Sequence, residues 1–126
     1  MATLSAIGIV TRDMAESVRF YRLLGIDVPD PGDDHLEVTL PSGVRLMWDD
    51  VELIKQLNEL WVEPTGHRTA FAFECASPDE VDQVYERILE GGFRGGREPW
   101  DAFWGQRYAS VYDPDGNQID LFAALE

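Results

Sequence analysis

The stretch Glu98-Pro99-Trp100-Asp101-Ala102-Phe103-Trp104-Gly105-Gln106-Arg107-Tyr108 holds the chain's densest collection of side chains able to grip a small molecule. Three large aromatics fall within five residues, at Trp100, Phe103 and Trp104. Flat indole and phenol rings stack on planar ligands, and their negative faces attract cations. Asp101 lies within the stretch, and Glu37, Glu74 and Asp120 are acids expected near it, which adds charge complementarity for a cation. The competing use of these rings is structural: exposed aromatics in such number need burial by something, and plugging a cleft or a seam between chains would serve.

Other chemistry is poorly supported. Cys75 sits in FAFECAS, a setting that suits a buried small hydrophobe better than a nucleophile. As the single cysteine it forms no internal disulfide, and nothing points to an oxidising compartment. His35 and His67 are the two histidines, the first opening a strand at a sheet edge, the second in a connection as a surface or capping residue. No Cys/His or Ser/His pairing, glycine-rich phosphate loop or nucleophile elbow is recognisable. Glu37 and Asp120 share a face and form a conceivable acid–base pair, but paired acids on a wall more often bind than catalyse. No catalytic residue is assigned.

A length of 126 residues is that of one domain, and 44% hydrophobic residues are enough to build a core. Ten basic against 24 acidic residues give a net charge of −14, with twelve acids and five bases in each of 1–63 and 64–126. Such a uniformly negative surface repels phosphate backbones and anionic lipid, which argues against nucleic-acid or membrane partners. It favours a cationic ligand and also serves solubility. The opening MATLSAIGIV is too short for a signal peptide or a membrane span and follows no basic region, so a cytoplasmic location is expected.

The elements that must position these residues repeat. LSAIGIV at 4–10 reads as a strand, and the segment after it carries Met14, Val18, Tyr21, Leu23 and Leu24 at helical spacing up to Gly25. RTAFAFE at 68–74 reads as a second such strand. Its helix opens with Ser77 as cap, Pro78 at the first turn and Glu80 completing a capping box. A stripe of Val81, Val84, Tyr85, Ile88 and Leu89 follows, closed by Gly91 and Gly92. Each helix precedes a hairpin, one turning at Pro41-Ser42-Gly43, the other at Asp113-Pro114-Asp115-Gly116. Segments 25–30 and 93–98 are expected to add one strand per half, and DVELIKQLNEL to be a linking helix. The expected fold is α+β: two βαβββ modules, about 1–60 and 66–126, within a single domain.

Parity across the turns decides which side chains face away from the helices. With a bulged loop, Tyr112 faces Gln118, Ser110 faces Asp120 and Tyr108 faces Phe122. In the first hairpin Thr39 meets Arg45, Glu37 meets Met47 and His35 meets Asp49. Val38, Leu46, Leu36 and Trp48, like Val111, Ile119, Ala109 and Leu121, then form the apolar set, joined by Ile7, Ile9, Phe71 and Phe73 from the opening strands. The opposite face takes Ala6, Gly8, Ala70 and Ala72, together with Trp104, Gln106 and Tyr108.

This pattern resembles the vicinal oxygen chelate superfamily of glyoxalase I, extradiol dioxygenases and bleomycin resistance proteins. The resemblance rests on I-V-T-R-D-M-A-E-S-V-R-F-Y-R-L-L-G at 9–25 and Y-D-P-D-G-N-Q-I-D-L-F at 112–122. It implies two βαβββ modules forming a half-open barrel with the helices outside, usually in a homodimer. It also implies that metal-using members draw one ligand from each of four strands, at positions that fall here on Ala6, Met47, Ala70 and Asp120. Alanine has no donor atom and a thioether is a poor partner for hard divalent ions, so no metal and no other cofactor is expected.

The function expected is sequestration of a planar, cationic small molecule, in the manner of bleomycin resistance proteins, which are acidic, metal-free dimers that trap a basic drug. The residues expected to line that site are Glu37, Met47, Trp100, Asp101, Phe103, Trp104, Gln106, Tyr108, Ser110 and Asp120. The alternatives are a metal-dependent glyoxalase-type lyase, isomerase or dioxygenase using ligands from elsewhere, and a dimeric interaction protein.

Overall fold

The computed structural model describes residues 1–32, 34–66 and 68–126, which divide into two compact units, Met1–Pro64 and Thr65–Glu126. His67 lies outside the described residues.

The first unit opens with β1 (Ala6–Thr11) and α1 (Met14–Leu23), continues through β2 (His35–Thr39) and β3 (Arg45–Asp50), and ends in α2 (Val51–Leu57). Its sheet runs β1-β3-β2, with β1 parallel and β2 antiparallel to the central β3. Asp13 caps α1 by accepting from the Glu16 N–H at 3.1 Å. Gly25, at φ +94°, carries the chain out of the helix. The core gathers Ile9, Val18, Phe20, Tyr21, Leu46 and Trp48, each worth roughly 1.5–3 kcal/mol on burial. Tyr21 meets Phe20 and Trp48 edge to face at 5.0 and 5.2 Å. Thr11 and Ser17, both fully buried, satisfy each other across 2.8 Å.

The strand expected at 25–30 is not formed. The Val28 N–H bonds to the Ile26 carbonyl two residues back, and the Val28 carbonyl accepts Arg22 Nε and Nη2 at 3.0 and 2.8 Å. Pro29 and Pro31 remove donors on either side of Asp30. A helix arginine thus takes the place of a neighbouring strand, and the segment stays irregular. The linking helix does form, as α2.

The second unit runs β4 (Ala70–Glu74), α3 (Pro78–Glu90), β5 (Trp100–Ala102), β6 (Gln106–Tyr112) and β7 (Gln118–Ala124), in the sheet order β4-β7-β6-β5. The capping box holds: Ser77 Oγ accepts the Glu80 N–H at 3.2 Å, and Glu80 Oε1 reaches back to the Ala76 N–H at 2.7 Å. Val81, Val84 and Ile88 of α3 are buried, as are Ala109, Val111, Ile119 and Leu121 of β6 and β7. Both hairpins have the register that parity requires, including Glu37↔Met47, Ser110↔Asp120 and Tyr108↔Phe122. Gly43 and Gly116 close the two turns at φ +94° and +88°.

Segment 93–98 pairs with β6 only through the isolated bridge Gly95↔Val111, and the regular strand begins later, at Trp100. The crossing is tight. Gly96 donates to the Ser110 carbonyl at 2.7 Å, and a Cβ on Gly96 would stand 2.5 Å from Ser110 Oγ and 3.1 Å from the Ser110 carbonyl oxygen. Gly96→Ala is therefore expected to cost about 1–3 kcal/mol of stability, read as a lowered urea midpoint. An unchanged midpoint would show that the crossing has slack.

Candidate functional site

β5 and β6 form a hairpin whose turn is Phe103-Trp104-Gly105, with Gly105 at φ +92° and its N–H donating to the Ala102 carbonyl at 3.0 Å. The stretch expected to be a loop entering a strand is thus a strand, a turn and a second strand. Trp100 pairs with Tyr108, and Tyr108 pairs in turn with Phe122 of β7, so these three rings lie along one face of the sheet. The turn adds Phe103 and Trp104 to them. Trp104 meets Trp100, Phe103 and Tyr108 edge to face at 5.6, 4.9 and 5.4 Å, and Tyr108 stacks on Phe122 at 6.2 Å. Phe103 is 90% exposed and Trp104 48%.

Polar groups hold the rings in place. Trp104 Nε1 donates to Gln106 Oε1 at 2.8 Å, and the Tyr108 hydroxyl donates to Asp120 Oδ2 at 2.8 Å. Gln118 Nε2 donates to Asp120 Oδ1 at 2.9 Å. Burial, reinforced by the bond to Asp120, pushes the Tyr108 phenol up to about 12, so it remains a donor throughout the physiological range. Two arginines border the rings. The Arg97 guanidinium lies over Trp100 at 3.9 Å and that of Arg94 over Tyr112 at 4.0 Å.

Of the expected site residues, Trp100, Phe103, Trp104, Gln106, Tyr108 and Asp120 are brought together here. Asp101 is not. It pairs with Arg107, one residue out of phase with Trp100, and accepts Arg107 Nη1 at 3.0 Å. Arg107 also binds Asp82 of α3, beside a groove of about 250 Å³ lined by Tyr85, Glu86, Glu98 and Pro99. Ser110 faces the correct side, but its Oγ accepts the Arg97 N–H at 2.8 Å and so anchors the crossing segment. Phe122, Gln118, Arg94 and Arg97 were not anticipated as site residues. Phe122 was accessible from the register, while the arginines sit on an irregular segment that strand parity does not reach.

Glu37 and Met47 belong to the first unit, opposite each other on β2 and β3. Glu37 accepts Arg45 Nη1 at 3.2 and 3.3 Å and faces His35 Nε2 at 3.3 Å, and His35 Nδ1 is 2.5 Å from Asp49 Oδ1. The hydrogen bond to Asp49, followed by that to Glu37, raises the His35 pKa above its ordinary value near 6.5. A raised histidine contributes stability that is fully present below the ordinary pKa and is lost as pH rises through the raised one. Asp49→Asn is expected to bring the His35 ring titration, followed by NMR, back toward the ordinary value. An unmoved titration would show that Asp49 does not hold the charge.

Burial pushes the Cys75 thiol up to about 11, with Glu80 adding to the effect, so it is no nucleophile at neutral pH.

Comparison with known proteins places this arrangement. The family model of the Glyoxalase/Bleomycin resistance protein/Dioxygenase superfamily matches residues 3–121. The chain belongs to that superfamily. A solved glyoxalase/bleomycin resistance protein/dioxygenase from Nocardioides is 32% identical over 100% of this chain and 85% of its own, with a TM-score of 0.77. A family enzyme from Burkholderia phytofirmans PsJN is 19% identical over 98% and 100%, with a TM-score of 0.85. A glyoxalase-related enzyme from Fulvimarina pelagi is 21% identical over 98% and 88%, at 0.82. The latter two likenesses concern the fold alone. No protein of curated function matches the chain.

Ala6, Met47, Ala70 and Asp120, the positions that the resemblance implies for metal ligands, do not have the chemistry of a divalent-ion centre. Two lack donor atoms and one offers only a thioether. Both oxygens of the fourth already accept hydrogen bonds, from Tyr108 and Gln118. Among the described residues no group of three His, Cys, Asp or Glu side chains is gathered to hold a metal ion. No described helix is long and apolar enough to cross a membrane.

Proposed function

We propose that this superfamily member is a metal-independent binding protein that sequesters a planar, cationic small molecule against the aromatic face of its second unit. The observation that carries the reading is the exposure of Phe103 and Trp104 while Trp104 is held edge to face by three rings and by its bond to Gln106. An indole fixed in this way loses little conformational entropy on binding. Other rings of the same sheet face already carry cations, since Arg97 and Arg94 lie over Trp100 and Tyr112. A net charge of −14 draws cations toward them. The relatives' shared name includes bleomycin resistance proteins, and antibiotic sequestration is the form of binding proposed here. A cytoplasmic homodimer completes the proposal, to be checked by sedimentation for a species of twice 14.2 kDa.

The test is a titration of chelator-treated protein with a planar phenanthridinium dye, followed by tryptophan emission. Saturable quenching is expected, unchanged by the chelator, and Trp104→Ala should weaken it about tenfold through loss of a ring contact worth roughly 1–2 kcal/mol. Absent quenching, or quenching that returns only with added divalent ion, would defeat the proposal. The second outcome would favour a metal-dependent enzyme of the glyoxalase type.

A further inference from the structure

We infer that the aromatic face carries an oxyanion subsite at Arg97, so that the ligand bears a carboxylate in addition to its planar cationic ring. The inference rests on the reading that this face takes a planar ligand, and it adds a requirement which that reading does not contain.

The starting point is an imbalance of charge. Acids outnumber bases 24 to 10. Arg12, Arg19, Arg22, Arg45, Lys55 and Arg107 are each engaged by a carboxylate. Arg94 and Arg97 have no carboxylate partner among the described residues, and both are exposed. Each instead lies over a ring, at 4.0 Å from Tyr112 and 3.9 Å from Trp100. A guanidinium seated on a ring keeps its N–H fork at its edges, where it matches the two oxygens of a carboxylate.

The backbone holds both arginines at this face. The Arg97 N–H donates to Ser110 Oγ at 2.8 Å, and its carbonyl accepts the Ser110 N–H at 2.9 Å. Three residues earlier, the Arg94 carbonyl accepts the Tyr112 N–H at 3.0 Å. Ser110 and Tyr112 alternate with Val111 on β6 and share the face of Tyr108, which pairs with Trp100. A planar ligand lying against Trp104, whose ring is 5.6 Å from that of Trp100, therefore meets at its rim the Arg97 guanidinium that covers Trp100. An oxyanion substituent there replaces water on a guanidinium that no acid among the described residues neutralises.

A matched pair of dyes tests this: a zwitterionic xanthylium dye with a free carboxylate, and its methyl ester, which is a cation only. Naphthoate serves as an anion without a cationic ring. Wild-type protein is expected to bind the zwitterion about tenfold more tightly than the ester, the contribution of one charge-assisted pair. Arg97→Gln should remove that preference and weaken naphthoate while leaving the ester unchanged or tighter, and Arg94→Gln should leave the preference in place. Arg97→Lys should retain part of the preference. Far-ultraviolet circular dichroism of each exposed-surface variant confirms that it is folded.

Equal binding of the two dyes by wild type, or a preference that survives Arg97→Gln, overturns the oxyanion subsite and leaves the cationic reading standing. Arginine-dependent binding of naphthoate without binding of the ester keeps the subsite and removes the cationic reading. If none of the three probes binds, both are wrong.

Discussion

Trp48→Ala is expected to lower stability by about 3–5 kcal/mol, a large share of the 5–15 kcal/mol that holds a typical domain together. Trp48 is fully buried on the central strand of the first unit's sheet, between Ile9 of β1 and Leu36 of β2. Its ring meets Tyr21 of α1 at 5.2 Å, so it joins helix to sheet. Truncation removes the largest buried side chain of the unit and leaves a cavity that strands on both sides cannot readily fill. The indole N–H, however, has no hydrogen-bond partner among the described residues, and an orphaned buried donor costs about 1–3 kcal/mol. Trp48→Phe keeps a ring against Tyr21 and removes that orphan. It should therefore cost at most about 1 kcal/mol, the smaller ring being offset by the lost polar penalty. Urea denaturation of the two variants checks this, and equal losses would show that the bare N–H carries no cost.

Asp113→Ala should cost about 2–3 kcal/mol through a different cause. Asp113 is buried at the β6–β7 turn, where Oδ1 accepts the N–H groups of Asp115 and Asn117 at 2.9 and 2.8 Å and Oδ2 accepts Asn117 Nδ2 at 2.8 Å. One carboxylate thus satisfies three donors of its own turn, and alanine leaves them without an acceptor. Asn keeps an acceptor for the backbone but turns an amide toward Asn117 Nδ2, so Asp113→Asn should fall between wild type and alanine. The first hairpin supplies the control. There Ser42 Oγ reaches the Val44 N–H at 3.4 Å in an exposed turn, and Ser42→Ala should change stability by no more than about 0.5 kcal/mol. Comparable losses at the two turns would mean that the carboxylate network contributes nothing special.

The contrast between the turns also shows what could be read without coordinates. Pro-x-Gly and Asp-Pro-Asp-Gly announce bulged turns, a bulged turn fixes register, and register assigned Trp48 to the core and Tyr108 to the opposite face. The β5–β6 turn is made of Phe103, Trp104 and Gly105, with aromatics where turn-forming residues normally stand, so its sequence does not announce a turn and does not fix the phase of Asp101. Segment 25–30 has strand-like composition, yet Arg22 captures its carbonyl from the preceding helix, a competition that periodicity does not register. Arg94 and Arg97 escaped for a related reason. They sit on a segment that crosses β6 by single hydrogen bonds around two glycines, and period-two counting has no purchase there.

The claim on which the functional reading stands is that ligand meets the aromatic face of the second unit and no part of the first. The four tryptophans are natural reporters, since each has one indole N–H resonance and they divide between the units, Trp48 and Trp61 in the first, Trp100 and Trp104 in the second. An indole N–H titration by NMR with the phenanthridinium dye should shift Trp100 and Trp104 and leave Trp48 and Trp61 in place. Shifts confined to Trp61 or Trp48, with Trp100 and Trp104 unmoved at saturating dye, would contradict it.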